Sequence, residues 1–460
     1  MSIYKPCDIR GNVTGELTIH LYRRWGIALG LQVPPGEKFI VGGDVRESTP
    51  AFLASLVDGL CEAGVSVVNL GRLPTPMIYH ARRRIHAAAA AIVTASHNPA
   101  DINGLKWTIG GKPPTPADVA ALEEAAQSPP CCDREPTEAR RLDVTFDYVA
   151  WLQETFVDSL SARCHVVLDP LYGCWSAKAR RYLHAIFPQC FFTALHDEPD
   201  KQFGGRLPDC SRRENLLELG EAVYRERADL GIAFDGDGDR VALVDGNGDA
   251  LTGEETTWAL LQTYGQELQG KPFVYDQKFS DRIPETARRL GAEPLVERSG
   301  HAFIRTRMQE SEAPFGAEVS GHYFFGELGG GDDGLLAACR MIAFLTGTGQ
   351  TLLDLRRECP EIFMTPDLRV PLDVAAQQET IERVRAAWSD YPQKTLDGIR
   401  IDTPAGWGLI RPSVTEPALT FRFESVDWLG LEDLVDRFCD TLGEVGDRLR
   451  TSYEIAMGRE

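Results

Sequence analysis

Short β-branched runs that end abruptly in Asp or Gly recur along the chain, each followed by a turn and then a stretch with apolar residues at helical spacing. Phe39-Ile-Val-Gly-Gly-Asp44, Val166-Val-Leu-Asp-Pro170 and Phe273-Val-Tyr-Asp276 are the clearest of them. Each reads as a buried parallel strand, with polar residues at the carboxyl end, where open α/β sheets bind ligands. More than a hundred residues separate successive runs. Three α/β domains of similar plan are therefore predicted, in preference to a short-period solenoid.

Pro-, Gly- or acid-rich joints near 128–145, 245–253 and 360–367 set the predicted boundaries, giving domains 1–143, 144–249, 250–365 and 366–460. The last reads differently: a strand over 368–372, a helix over 374–388, three short strands reaching about Ser425, then a helix from 431 onward. That is an α+β layout.

Candidate chemistry gathers between strand-like runs. Phe234-Asp-Gly-Asp-Gly-Asp-Arg240 sits between Leu230-Gly-Ile-Ala and Val241-Ala-Leu-Val, and its alternation lets Asp235, Asp237 and Asp239 converge on one hard cation. It is not an EF-hand: with Asp235 as position 1, position 6 is Arg240 instead of Gly and position 12 is Gly246 instead of Glu. So few protein ligands leave room for water or phosphate oxygens, which suits Mg²⁺. Thr94-Ala-Ser-His-Asn-Pro99 follows the run Ala90-Ala-Ile-Val93 and places Ser96, predicted to be exposed, on a strand-to-loop turn. A hydrolase elbow is absent there.

Further polar motifs occupy other regions. Asp101-Ile-Asn-Gly-Leu-Lys106 follows the serine loop, Ser299-Gly-His301 and Gly316-Ala-Glu-Val-Ser-Gly-His322 lie in the third region, and Arg411-Pro-Ser-Val-Thr-Glu-Pro417 lies in the last. Glu318, Ser320 and His322 are the mix that reads sugar hydroxyls. Arg411, Ser413 and Thr415 alternate, so an extended loop turns a guanidinium fork and two hydroxyls toward one phosphate.

Composition narrows the partners. At 43% apolar and 25% charged over 460 residues, the chain is an ordinary globular one, too long for a single core. Its 68 acidic residues against 48 basic ones give a net charge of −20, the wrong sign for gripping nucleic acid. That field also repels an anionic small substrate unless a local group of cations reverses it. The N-terminal residues lack a basic segment followed by an apolar one, and the longest featureless apolar run is the short 87–93, so neither secretion nor a membrane partner is predicted. Eleven cysteines without a Cys-x-x-Cys pair, with Cys131 and Cys132 reading as loop thiols, fit a reducing cytoplasm.

On these motifs, from Tyr4-Lys-Pro-Cys-Asp-Ile-Arg-Gly11 to Arg411-Pro-Ser-Val-Thr-Glu-Pro417, the chain resembles the α-D-phosphohexomutase superfamily, and within it the bacterial phosphomannomutase/phosphoglucomutase group. The resemblance implies three similar α/β domains with mixed sheets and a C-terminal α+β domain like the TATA-binding protein, around a central cleft that the last domain closes. It implies that Ser96 carries a catalytic phosphate and completes, with Asp235, Asp237 and Asp239, the ligands of one Mg²⁺ per chain. Arg10 and Lys106 flank the reacting phosphoryl, and His97 shares the serine loop. His301 and Lys106 are the acid/base candidates, the lysine through a pKa lowered by neighbouring cations. Arg240 and Lys278 add positive charge, Glu318 and Ser320 read the 3- and 4-hydroxyls with His322 nearby, and Arg411, Ser413 and Thr415 grip the other phosphate.

The implied reaction is reversible phosphoryl transfer between the 1- and 6-positions of mannose or glucose phosphate, through a hexose 1,6-bisphosphate that also serves as activator. Val414 stands where the family usually has Gly or Asn, and Cys7 where Tyr or Phe is common. Competing readings are a phosphoglucosamine mutase, a phosphatase working through the same serine, and a non-catalytic phosphosugar-binding relative. The form of the Glu318 motif looks more like the mannose/glucose type. No protein partner is implied.

Overall fold

The three apolar runs form the strands Lys38–Gly43, His165–Asp169 and Pro272–Asp276 in a computed structural model that describes residues 2–128, 132–161, 163–413 and 417–458. Cys131, Val414 and Thr415 lie outside the described residues. Every one of the three strands pairs in parallel with a neighbour, and Phe39, Ile40, Val41, Val166, Val167, Phe273 and Val274 are fully buried. Burial on both faces is what a continuous apolar run without alternation encodes.

Four sheets follow one another along the chain. The first runs, edge to edge, Ile9–Asn12, Ile102–Ile109, Ala89–Val93, Lys38–Gly43, Ser66–Arg72 and Arg140–Arg141. The second runs Val241–Asp245, Leu230–Phe234, His165–Asp169 and Phe191–Ala194. The third runs Glu293–Glu297, Pro272–Asp276, Phe315–Ala317, Tyr323–Phe325 and Gly331–Asp332. Each mixes parallel and antiparallel pairs. The fourth, built from 363–425, is antiparallel in its described pairings. This is the α/β fold with three similar domains and a C-terminal α+β domain.

The last region differs in detail from its sequence pattern. Four strands follow the helix Val374–Ala387, because Gln393–Lys394 adds a two-residue edge before Ile399–Thr403, Gly406–Pro412 and Ala418–Ser425. The single helix expected from 431 is two helices, Trp428–Leu442 and Glu444–Ala456. Gly443 separates them at φ 58°, ψ −129°, a conformation closed to residues with a Cβ.

Residues divide into two compact units. One holds Met1–Tyr275, Thr286–Leu295 and Gly300–Cys359; the other holds Asp276–Glu285, Val296–Ser299 and Pro360–Glu460. In the first, the core under the first sheet is anchored by Tyr22 and Trp25, with Tyr22 stacked on Phe52 at 4.3 Å between ring centres. In the second, Trp388 stacks on Phe438 at 4.3 Å over the fourth sheet. No helix among the described residues is long and apolar enough to cross a membrane.

Helices Ile19–Leu31 and Thr49–Glu62 meet through glycines at their closest approach. A Cβ on Gly59 would lie 2.0 Å from the Arg23 carbonyl oxygen, and one on Gly26 would lie 2.4 Å from that of Leu56. Gly59→Ala must push the helices apart, and is expected to destabilise the protein by about 1–3 kcal/mol in urea unfolding. An unchanged midpoint would mean that the pair separates without cost.

Candidate active site

The antiparallel hairpin of Leu230–Phe234 and Val241–Asp245 holds the acidic loop at its tip. Asp235, Asp237 and Asp239 are completely buried, and one carboxylate oxygen from each lies within 4.8 Å of the others. The two glycines have separate reasons. Gly238 turns at φ +80° with its carbonyl held by the Trp175 indole N–H at 2.9 Å, and a Cβ on Gly236 would fall 2.6 Å from the Ser96 carbonyl oxygen. One permits the turn and the other permits contact with the serine loop.

That serine loop continues the strand Ala89–Val93. Contrary to the expectation from sequence, Ser96 is fully buried, because the acidic loop packs over it. Its hydroxyl donates to Asp235 Oδ2 at 2.6 Å, and its N–H donates to Thr94 Oγ1 at 2.9 Å. The backbone at Ser96 is left-handed, φ +51°, an uncommon state for a residue with a Cβ.

Lys106, on the strand Ile102–Ile109, reaches Asp237 Oδ2 at 2.9 Å and Asp239 Oδ2 at 2.6 Å. Burial alone would lower its pKa, but the two carboxylates outweigh burial and hold it well above the ordinary value. The lowered lysine expected from neighbouring cations is therefore corrected: acids, not cations, are its nearest neighbours. Asp235 moves the same way from a different cause, its carboxyl pushed well above the usual range by burial and then by Asp239 and Asp237.

The arrangement fits a cation. Asp237 Oδ1 is buried without a hydrogen-bond partner, Asp239 Oδ1 faces His322 Nε2 at 3.4 Å, and Lys106 bonds the Oδ2 atom of each residue. Oxygen donors, three carboxylates and an adjacent hydroxyl match a hard divalent ion. A second group, Asp239, His322 and Asp332, shares one of these ligands.

Other motif residues converge here. Arg10 binds Asp8 Oδ2 at 2.9 Å through Nε and Asn98 Oδ1 at 3.1 Å through Nη1, which ties it to the serine loop. His97 Nδ1 lies 3.3 Å from the Ser96 hydroxyl, and burial, then Arg240 and Arg10, keep its ring neutral. His301 stands 6.2 Å from His322, ring centre to ring centre. Burial and then Lys106 bring its pKa down to about 4 against the pull of Asp8.

Glu318, Ser320 and His322 form one cluster, with His322 Nδ1 2.9 Å from Ser320 Oγ and 3.4 Å from Glu318 Oε2. Two demands meet at His322 Nε2. Arg240 Nε–H points at it from 3.2 Å, which requires a neutral ring, whereas Asp239 and Glu318 outweigh burial and Arg240 and raise its pKa to about 9. Arg240 and His322 also pair as a β-bridge, joining the acidic loop to the Glu318 loop.

The remaining residues belong to the second unit. Lys278 lies 3.2 Å from Asp367, and Arg411 donates through Nε to Asp397 Oδ2 at 2.7 Å. Ser413 follows the strand Gly406–Pro412 and bonds through its N–H to the Ala418 carbonyl at 2.8 Å.

Several buried residues around the aspartates are not among the candidates read from the sequence, although Thr94 and Asp44 stand in its motifs. Thr75 and Thr94 hydroxyls donate to Asp237 Oδ2 at 2.8 and 3.2 Å, Asp44 accepts from Thr94 at 2.8 Å, and Asp332 faces His322 at 3.8 Å. Polar residues at the carboxyl end of Lys38–Gly43 were the available hint.

A buried serine loop, an acidic hairpin and a Glu-x-Ser-x-His loop, set on three α/β sheets, define a class of protein. Four family models match in succession: the phosphoglucomutase/phosphomannomutase α/β/α domains I, II and III at residues 2–129, 147–248 and 252–363, and the family's C-terminal domain at 368–441. The chain belongs to the phosphoglucomutase/phosphomannomutase family. It is 30% identical to the phosphomannomutase/phosphoglucomutase of Pseudomonas aeruginosa over 98% of both chains, and 29% identical to a phosphoglucomutase of Neisseria gonorrhoeae over 95% of both. A crystal structure of a family protein from Burkholderia thailandensis superposes with a TM-score of 0.86 at 28% identity, covering 99% of this chain and 97% of that one.

In the metal-free protein the His301 imidazole is expected to titrate near pH 4 by NMR, against about 6.5 in an unfolded chain. Because the unfolded state then binds the proton first, stability from this group is full above pH 6.5 and declines as pH falls toward 4. A titration near 6.5 would show that the ring is solvated.

Proposed function

We propose that this chain is a phosphohexomutase that moves a phosphoryl group reversibly between the 1- and 6-positions of mannose or glucose phosphate, with Ser96 as the phosphorylated residue. The observation that carries this reading is the Ser96 hydroxyl, 2.6 Å from Asp235 in a buried three-carboxylate loop with Lys106 beside it. The names of the relatives above support the substrate class.

Asp235, Asp237 and Asp239, together with the Ser96 phosphate, would hold the Mg²⁺. When bound, that ion supplies positive charge to the phosphoryl oxygens. Phosphoryl transfer passes through a loose transition state, so alignment and charge carry most of the catalysis. Lys106, held as a cation, and Arg10 act on the equatorial oxygens rather than on protons. The substrate hydroxyl attacks phosphorus, the bond to Ser96 Oγ breaks, and the hydroxyl proton passes to His301, whose neutral ring accepts it, while a proton taken up by the leaving Ser96 Oγ restores its hydroxyl, so that none is gained or lost overall. The hexose 1,6-bisphosphate then turns end over end and returns its other phosphate to Ser96.

Glu318 and Ser320 read similar hydroxyl pairs in both poses, with His322 setting their geometry. Arg411, with Ser413 and Thr415, takes the non-reacting phosphate, and Lys278 and Arg240 contribute further charge. Added hexose 1,6-bisphosphate activates by restoring the phosphoserine.

Ser96→Ala is expected to abolish mutase turnover, with sugar-phosphate binding retained by calorimetry; unchanged turnover would overturn the mechanism. Comparison of kcat/KM for mannose 1-phosphate, glucose 1-phosphate and glucosamine 1-phosphate, with Mg²⁺ and a trace of bisphosphate, is expected to favour the first two. A preference for the amino sugar would reassign the substrate, and turnover unaffected by chelation would remove the metal from the reaction.

A further inference from the structure

Arg46 is completely buried, and its side chain points at the backbone of the serine loop. Its Nη2 donates to the Ser96 carbonyl at 2.9 Å and to the Asn98 carbonyl at 2.7 Å. Its Nε lies 3.2 Å from Asp44 Oδ2, and its guanidinium stacks 4.8 Å above the Phe203 ring. Asp44 in turn accepts from the Thr94 hydroxyl at 2.8 Å, and Thr94 accepts the Ser96 N–H at 2.9 Å. The chain of contacts closes on both peptide groups that flank Ser96, one through its N–H and the other through its carbonyl.

A left-handed residue turns its carbonyl away from the local hydrogen-bonding pattern, and a buried carbonyl without a donor is costly. Arg46 meets that need at two carbonyls of one turn. The same Ser96 carbonyl faces the acidic loop, where a Cβ on Gly236 would come within 2.6 Å. A shift of this carbonyl therefore changes the separation between the serine hydroxyl and Asp235. Phe203 extends the arrangement: it packs with Cys174, whose N–H donates to the Gly236 carbonyl at 2.9 Å.

We infer that Arg46 is a positioning residue for phosphoryl transfer: its guanidinium fixes the left-handed backbone at Ser96 and with it the register of the serine loop against the acidic loop. A buried ion pair contributes little net stability, since an apolar pair of equal size often does as well. What a lysine or an apolar residue lacks is the flat guanidinium, whose Nη2 alone serves both carbonyls while Nε faces Asp44 and the plane lies over Phe203. The inference rests on the phosphoserine reading above.

The test compares wild type, Arg46→Lys and Ser96→Ala in steady-state mutase kinetics, with Mg²⁺ affinity by calorimetry and folding by thermal melting. Arg46→Lys is expected to fold, to bind Mg²⁺ and substrate with little change in Kd or KM, and to lose on the order of 100-fold in kcat, the cost of a misplacement near 1 Å. Wild-type kcat in the folded lysine variant would overturn the inference while leaving the Ser96 reading intact. A parallel collapse of melting temperature, Mg²⁺ affinity and KM would also overturn it, because the role would then be structural. Should Ser96→Ala keep full turnover, the phosphoserine reading itself fails, independently of Arg46. If the lysine variant does not fold, Phe203→Leu keeps the guanidinium but removes the ring beneath it. A fall of about tenfold in kcat supports the inference, and no fall overturns it.

Discussion

Three carboxylates buried within reach of one ion cannot all be charged unless positive charge is brought to them. The rest of the first unit is arranged around this constraint. Lys106 arrives from the first sheet, Arg240 from the end of the hairpin itself, and His322 from the third sheet, each contacting at least one of the three aspartates. Neutralising one loop thus draws on elements from three successive domains. One carboxylate oxygen, Asp237 Oδ1, is left without a hydrogen bond in this loop, and a protein donor there would occupy space that an ion could take.

The cations expected to meet phosphate are all engaged by acids in the free protein. Arg10 has Asp8, Lys106 has Asp237 and Asp239, Lys278 has Asp367, and Arg411 has Asp397. In a chain of net charge −20 this is how a small set of basic side chains is kept extended and oriented before an anion arrives. A phosphate taken up by these side chains, as proposed, has to compete with these carboxylates. Binding is weakened by that competition, but less side-chain freedom is lost on binding.

Local pattern was enough for the strands and for the motifs, because both depend on short stretches of sequence. The buried runs at Phe39, Val166 and Phe273, the Asp-Gly-Asp-Gly-Asp hairpin and the α+β plan of the last region are all legible in this way. What was not legible depended on contacts between distant segments. Ser96 reads as an exposed turn residue until Gly236 is seen to lie against it. Lys106 reads as a cation among cations until the hairpin brings two aspartates to it. Arg46, Thr75 and Asp332 are ordinary residues at the ends of strands and helices, and only the packing of the loops gives them partners. The break at Gly443 was missed for the opposite reason: one glycine in an amphipathic stretch is a weak local signal.

The left-handed backbone at Ser96 bears on which side chains can serve there at all. Threonine carries a phosphate as readily as serine does, and elsewhere in proteins the two exchange easily. At φ +51° a β-branched side chain crowds its own backbone and is a genuine outlier. The choice of hydroxyl residue at this position is thereby made by conformation rather than by reactivity, and a route of neutral drift open to most hydroxyl residues is closed to this one.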